Sequence, residues 1–375
     1  MVNIFMKTGK RRVSLLLILM LLFSLITFNV AEVHAISENL AYIAAGNNYR
    51  AYEKGIEVGN GWSNITAYDV YILEKEGTDT SRWERNSTNL KAETIALIND
   101  NINSANAGIK FIAQSYLAAK EFGEAAKAGI LLGKLFNQQN KLTGAFESSD
   151  IYSTMPVYDM LAGIDDLDEL DVEACKTYVL EEQNVEVAED NELYGAWGAA
   201  QWYQIGEDWF LGEWGPDFIS SAEAVRVLDC LYTIAPTVEI YNRINIGLNW
   251  LLNQQQADGS FLYGSWDDPV TNTAEMIITL DRLGERGSDA WNKAVDYLEN
   301  NALNSDGGFG GGGIGNNTLL IEAYRIINGA SIPANTIIDI DIISDNEAVP
   351  IGLRKQYNVQ AYRFGLGKEL LDNNV

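Results

Sequence analysis

The apolar positions of this chain fall into helical periods that recur in pairs. Segments near 38–54, 88–101, 124–139, 171–183, 239–256 and 290–301 each carry an apolar stripe on one face and charge on the other, as in Lys293-Ala-Val-Asp-Tyr-Leu-Glu299. Between them lie segments that are apolar nearly all round, of which Met276-Ile-Ile-Thr-Leu280 is the sharpest. A helix of that kind belongs where it is buried on both sides. The pattern therefore predicts six helical hairpins, with first helices forming an outer layer and second helices an inner one. The second helices are expected to open near Asn64, Ser104, Ser153, Ser220, Thr271 and Asn316, residue types that cap a helix N-terminus. Their spacing, roughly 40 to 65 residues, is that of helical-hairpin arrays.

Three of the joints share a motif. Leu135-Phe-Asn-Gln-Gln-Asn-Lys-Leu-Thr-Gly-Ala-Phe146, Leu251-Leu-Asn-Gln-Gln-Gln-Ala-Asp-Gly-Ser-Phe261 and Tyr297-Leu-Glu-Asn-Asn-Ala-Leu-Asn-Ser-Asp-Gly-Gly-Phe309 each end a helix on polar residues, turn on Gly and place an aromatic just beyond. Glycine admits the left-handed backbone that closes a helix. The Gln-rich helix end, the Asp-Gly-Ser-Phe turn and the following Thr-Ala-Glu helix resemble the prenyltransferase and squalene-cyclase repeat. That resemblance covers residues 36–332. It implies an all-α fold, an α6/α6 toroid, with the loops between first and second helices gathered at one mouth.

Both ends differ from the middle. Lys7, Lys10, Arg11 and Arg12 precede an apolar run from Val13 to Phe28, and Val33-His34-Ala35 offers small residues to a signal peptidase. Residues 1–35 thus read as a secretion signal, too short in its apolar part to span a bilayer readily; the expectation is a secreted or cell-surface protein that meets a membrane only through this segment. After Pro333, Ile337-Ile-Asp-Ile-Asp-Ile-Ile343 and Lys355-Gln-Tyr-Asn-Val-Gln-Ala-Tyr362 alternate with a period of two. Residues 333–375 resemble a linker and the opening strands of a bacterial immunoglobulin-like domain. Such a domain needs about 80 to 100 residues, so either the chain is a piece of a longer protein or these strands pack on the toroid.

Charge narrows the functions. The chain has 26 Lys+Arg against 52 Asp+Glu. Removing the leader takes away its four basic residues and Glu32, which leaves 22 against 51, a net charge of −29. No basic stripe is available to neutralise phosphates, which excludes nucleic acid as a partner. Two cysteines, Cys175 and Cys230, cannot build a disulfide framework; buried thiols are expected, with a single bridge open as the alternative.

The chemistry implied by the resemblance is missing. Protein prenyltransferases hold zinc with Asp, Cys and His, and the one histidine here is His34, within the leader. Squalene-hopene-type cyclases protonate their substrate from an Asp-x-Asp-Asp-Thr-Ala motif. Pro269-Val-Thr-Asn-Thr-Ala274 stands in its place, and neither Thr271 nor Asn272 is an acid. Neither cysteine lies in the Gly and Gln context of thioester-containing toroids. The run Gly307–Gly315 follows no strand, so it reads as a turn rather than a phosphate loop.

What remains is an aromatic, acidic insertion in the fourth hairpin. It holds Trp197, Trp202, Glu207, Asp208, Trp209, Glu213, Trp214 and Asp217, and the fifth hairpin adds Trp266, Asp267 and Asp268 at the equivalent turn. Facing a mouth, the rings can stack on sugars or on a small apolar ligand, while the carboxylates accept hydroxyl protons or hold calcium. In the alternative, the tryptophans only close gaps between helices. The expectation is a non-catalytic binding module, with a glycan as ligand and no cofactor unless calcium. Two other readings stay open: a carbohydrate-active enzyme using these carboxylates, and a small-molecule carrier of the cobalamin-carrier type.

Overall fold

A computed structural model describes residues 37, 39–61, 63–146, 150–205, 208–264 and 267–329, and the backbones of 337–343 and 358–363. Residues 1–35, read from the sequence as a leader, lie outside the described residues, as does most of the segment after Pro333. Twelve helices are present among them. The outer helices are α1 (39–53), α3 (Leu90–Asn103), α5 (Ala125–Gln138), α7 (Val172–Glu181), α9 (Val238–Leu252) and α11 (Asp289–Asn301). Alternating with them are the inner helices α2 (Ala67–Lys75), α4 (Ile109–Glu121), α6 (Ile151–Ala162), α8 (Phe218–Ile234), α10 (Pro269–Arg282) and α12 (Ile314–Asn328). Each inner helix packs on the inner helices of the neighbouring hairpins, and α12 packs back on α2. The ring is closed, and the fold is an α/α toroid of six hairpins.

Apart from α1, where nine of 15 residues are buried, burial separates the layers as the hydrophobic pattern predicts. In α10, 10 of 14 residues are buried; in α5, only three of 14 are, because one face meets solvent. Where the ring closes, contacts are polar. Asn48 donates to Thr318 (3.1 Å), Asn317 donates to Asn48 (2.9 Å), Thr318 donates to Asp69, and Tyr68 donates to Glu322 (3.1 Å).

A repeated set of bonds explains the joint motif. The glycine before each aromatic has positive φ, +75° at Gly144, +96° at Gly195 and +93° at Gly259. A Cβ there would strike the next outer helix, at 2.0 Å from the Ala174 carbonyl oxygen for Gly144 and 2.3 Å from that of Lys293 for Gly259. Glycine is required twice over, by conformation and by approach. A glutamine at the end of α5, α7 and α9 bonds the following outer helix: Gln139 to the backbone of Asp171, Gln183 to Arg243, Gln255 to Ala290. The aromatic's N–H donates to a hydroxyl one turn inside the inner helix, Phe146 to Thr154, Trp197 to Ser221 and Phe261 to Thr273.

Helix starts differ slightly from expectation. Asp150, Asp217 and Asp268 are the N-caps of α6, α8 and α10, rather than Ser153, Ser220 and Thr271. Pro269 favours this at α10, since proline is suited to the first helical position and places the cap just before it. The strands are minor. β1 (Glu84–Arg85) and β2 (Thr88–Asn89) turn on Asn86 and Ser87, both with positive φ. β3 (Gly198–Ile205) and β4 (Asp208–Pro216) form an antiparallel hairpin between α7 and α8. β5 (Ile337–Ile343) and β6 (Asn358–Arg363) pair antiparallel, on the two alternating segments read from the sequence, β6 running one residue past Tyr362. No helix among the described residues is long and apolar enough to cross a membrane.

Candidate functional site

The N-terminal ends of the inner helices gather at one mouth. Asp268, the cap of α10, accepts from the Val270 N–H and the Thr271 hydroxyl, and from Gly311 N–H (3.1 Å) and Asn316 Nδ2 (3.0 Å) of the sixth hairpin. A Cβ on Gly310 would lie 2.3 Å from its carboxylate, so the Gly-rich turn wraps this side chain. Asp268 is thereby committed to holding two hairpins together. Asp267 accepts from Asn272 Nδ2 (3.0 Å) and the Gly264 N–H (3.2 Å). Asp217 caps α8 through the Ser220 N–H (2.7 Å). Burial pushes its carboxyl up from the usual range; the Ser220 bonds and Lys110 oppose this, and the charge of Asp267 adds to it. Asp217, Asp267 and Lys110 therefore share one rim, contributed by α8, α10 and α4.

The β3–β4 hairpin stands on this rim, its base bonded to the ring by the Asp217 N–H to the Trp197 carbonyl (2.9 Å). Trp202 pairs with Leu211, Trp209 with Gln204, Asp208 with Ile205 and Trp214 with Ala200; a register shift falls between Ala200 and Trp202. Glu213 and Trp214 are exposed. The side chains of Trp202, Asp208 and Trp209, and all of Glu207 and Trp266, lie outside the described residues.

Trp197 departs from the others. It is fully buried, its indole N–H donates to the Val179 carbonyl (2.7 Å), and its ring closes on Gly247. Phe146, Phe261 and Phe309 occupy the same place after their glycines, and all are 0% exposed. Trp197 is the fourth copy of the repeat aromatic and presents no face to a ligand. Comparing Gly195-Ala-Trp197 with Gly144-Ala-Phe146 carries that signal in the sequence.

Below the rim, the ring interior is charged. Arg226, 3% exposed, forms a two-point pair with Asp159 (2.9 and 2.6 Å) and also binds Glu275 (2.8 Å) and the Thr279 hydroxyl (2.9 Å). Arg282 reaches the same Asp159 at 3.3 Å. Burial works against ionisation of Asp159, yet the two guanidiniums hold its carboxyl below the usual range. Lys75 faces Glu322 at 3.6 Å. Glu223 stands apart: it is 9% exposed and its Oε2 has no hydrogen-bond partner. Burial drives its carboxyl well above the usual range, reinforced by Asp159 and opposed by Lys110. These interior charges were not picked out from the sequence. The signal for them is a charged residue inside an otherwise apolar inner helix, as in Ser220-Ser-Ala-Glu223. Among the described residues, no three His, Cys, Asp or Glu side chains are placed to hold a metal ion.

Fold and site together define an α/α toroid with an acidic mouth and a charged interior. No family model matches the chain, and no curated protein matches it in sequence. Solved structures do. The GH76A α-1,6-mannanase from Salegentibacter superposes with a TM-score of 0.50 at 12% identity, over 79% of this chain and 99% of that one. An inactive variant of that mannanase, in complex with α-1,6-mannotriose, gives 0.50 at 11% identity over the same shares. A polysaccharide lyase gives 0.49 at 15%, over 78% and 97%. At such identities the likeness is one of fold.

Proposed function

We propose that this chain is an exported, non-catalytic binding module that seats a glycan at the mouth of its toroid. The observation that carries the reading is the rim itself. Asp217 and Asp267 share it, and the hairpin beside it exposes Trp214, 37% accessible, and the carboxylate of Glu213. Rings that stack and carboxylates that accept hydroxyl protons are what a sugar requires. The solved structures of similar fold include a mannanase with a bound mannotriose, which supports a glycan as ligand. The leader of basic and apolar residues supports export.

Glycan-array binding tests the reading. Trp214→Ala and Asp267→Asn should each weaken binding about tenfold, the size of one stacking or charge-assisted contact. No binding to any extracellular polysaccharide would end it. A second reading, glycan cleavage, is favoured by one observation: burial and the neighbouring Asp267 raise the Asp217 carboxyl above its usual range, the direction a proton donor needs. Release of reducing ends, lost in Asp217→Asn, would establish that reading; binding without release favours the module. A carrier would need an apolar centre, and the inner helices α6, α8 and α10 are instead joined by the buried, charged Arg226 pairs.

A further inference from the structure

The ring interior has one carboxylate too many. Asp159 has Arg226 and Arg282, Glu275 has Arg226, and Glu322 has Lys75. Glu76 has Arg325 at 2.6 Å. Asp69 has no cation, but hydroxyls of Thr66 and Thr318 and the Thr66 N–H satisfy it. Glu223 forms no ion pair and has no hydrogen bond at Oε2, although Lys110 and Arg226 act on it from a distance.

Its place in the fold gives this defect a direction. Glu223 lies six residues after Asp217, the cap of α8, so it sits about 9 Å below the rim at 1.5 Å per helical residue. The charges it senses come from Asp159 on α6 and Glu275 on α10, the inner helices packed on either side of α8, from Lys110 on α4, one hairpin further round, and from Arg226 on its own helix. It therefore points to the axis, at the floor of the mouth. Lys110 is exposed at the rim and forms no ion pair with it. A buried carboxyl without an ion pair, held back from ionising and placed below an acidic rim, gains most from a cation that arrives there. Among the described residues no set of ligands for a metal ion surrounds it. The cation it suits is an organic ammonium that brings its own hydrogen-bond donors, three N–H groups for an oxygen that has none.

We infer that the mouth selects a glycan carrying free amino groups, with a sugar ammonium seated on Glu223. This rests on the reading of the mouth as a glycan site and names the class of glycan. Anionic polymers would be repelled by Asp267 and would hold Glu223 back from ionising, and neutral ones would bring it no cation. Seating the ammonium ionises Glu223, whose proton passes to solvent.

The test uses the full chain and two probes of equal length, a tetramer of β-1,4-linked glucosamine and its fully N-acetylated counterpart, titrated calorimetrically. The amino form should bind about tenfold tighter or more, the worth of a charge-assisted hydrogen bond. Glu223→Gln should bring the ratio of the two affinities to about one. Lys110→Met, which removes the competing cation, should raise it; a purely structural role for Glu223 moves nothing in that variant. Thermal melts of both variants confirm folding. Equal affinities, a preference that survives Glu223→Gln, or no binding of either tetramer overturns the inference. Should other glycans bind in the array while the tetramers do not, only the amino-sugar inference falls. An empty array removes the glycan reading beneath it.

Discussion

Trp197 shows how closely single residues are fitted. Its Cζ3 would lie 2.6 Å from a Cβ added at Gly247, and Val225 would lie 2.9 Å from it. Helix propensity favours alanine over glycine by about 1 kcal/mol, but here the added methyl has no room. Gly247→Ala should lower stability by about 1 to 3 kcal/mol in urea denaturation, the cost of overpacking. Gly129→Ala, at an open position of α5, should stay neutral or gain about 1 kcal/mol. At the rim, Asp268→Ala removes a cap and frees the Gly310–Gly311 turn, which should cost about 1 to 2 kcal/mol. The sequence marks Asp217, Asp267 and Asp268 by composition alone. It cannot separate the cap that ties two hairpins, Asp268, from the carboxylates facing the mouth, because that distinction depends on which loop folds over which.

Helices were legible because their signals are local. The segments read as 38–54, 239–256 and 290–301 fold as 39–53, α9 (Val238–Leu252) and α11 (Asp289–Asn301). The β3–β4 hairpin was not legible as strands, only as an aromatic and acidic insertion. Gly198, Gly212 and Gly215 dilute its pattern, and the register shift after Ala200 swaps which side chains share a face, so no period of two survives. Interior charges such as Asp159 and Arg226 were missed because their partners come from helices 67 residues apart. The glutamines that join outer helices make a further prediction. Gln139 donates to the Tyr158 hydroxyl and the Asp171 carbonyl and accepts from the Asp171 N–H, at 3% exposure. Gln139→Ala leaves those groups unmet and should cost about 1 to 3 kcal/mol, read from the shift in denaturation midpoint.

Over the whole molecule, buried carboxylates set the response to pH. Burial lifts Glu76 from 4.5 to about 7, against the pull of Arg325. A carboxyl raised by folding favours the folded state fully below the unfolded value of 4.5 and loses that contribution as the pH rises through 7. Asp217 and Glu223 shift in the same direction. The unfolding temperature should therefore fall from pH 5 to pH 8, and Glu76→Gln should flatten that slope; a slope unchanged in the variant would remove Glu76 as a source. Arg226→Met leaves Glu275 buried without its cation and Asp159 with Arg282 alone, and should cost about 3 to 5 kcal/mol at neutral pH.

The closed ring has a kinetic consequence. Thr318 meets Asp69 across 249 residues of chain. In an open array of hairpins, units can fold as they are made and lose stability one at a time. Here α2 has an uncovered flank until α12 arrives, so the first hairpin to be synthesised waits for the last. Folding should finish in one late step, slowed by the entropy of closing so long a loop, and unfolding should begin at that same seam between α12 and α2.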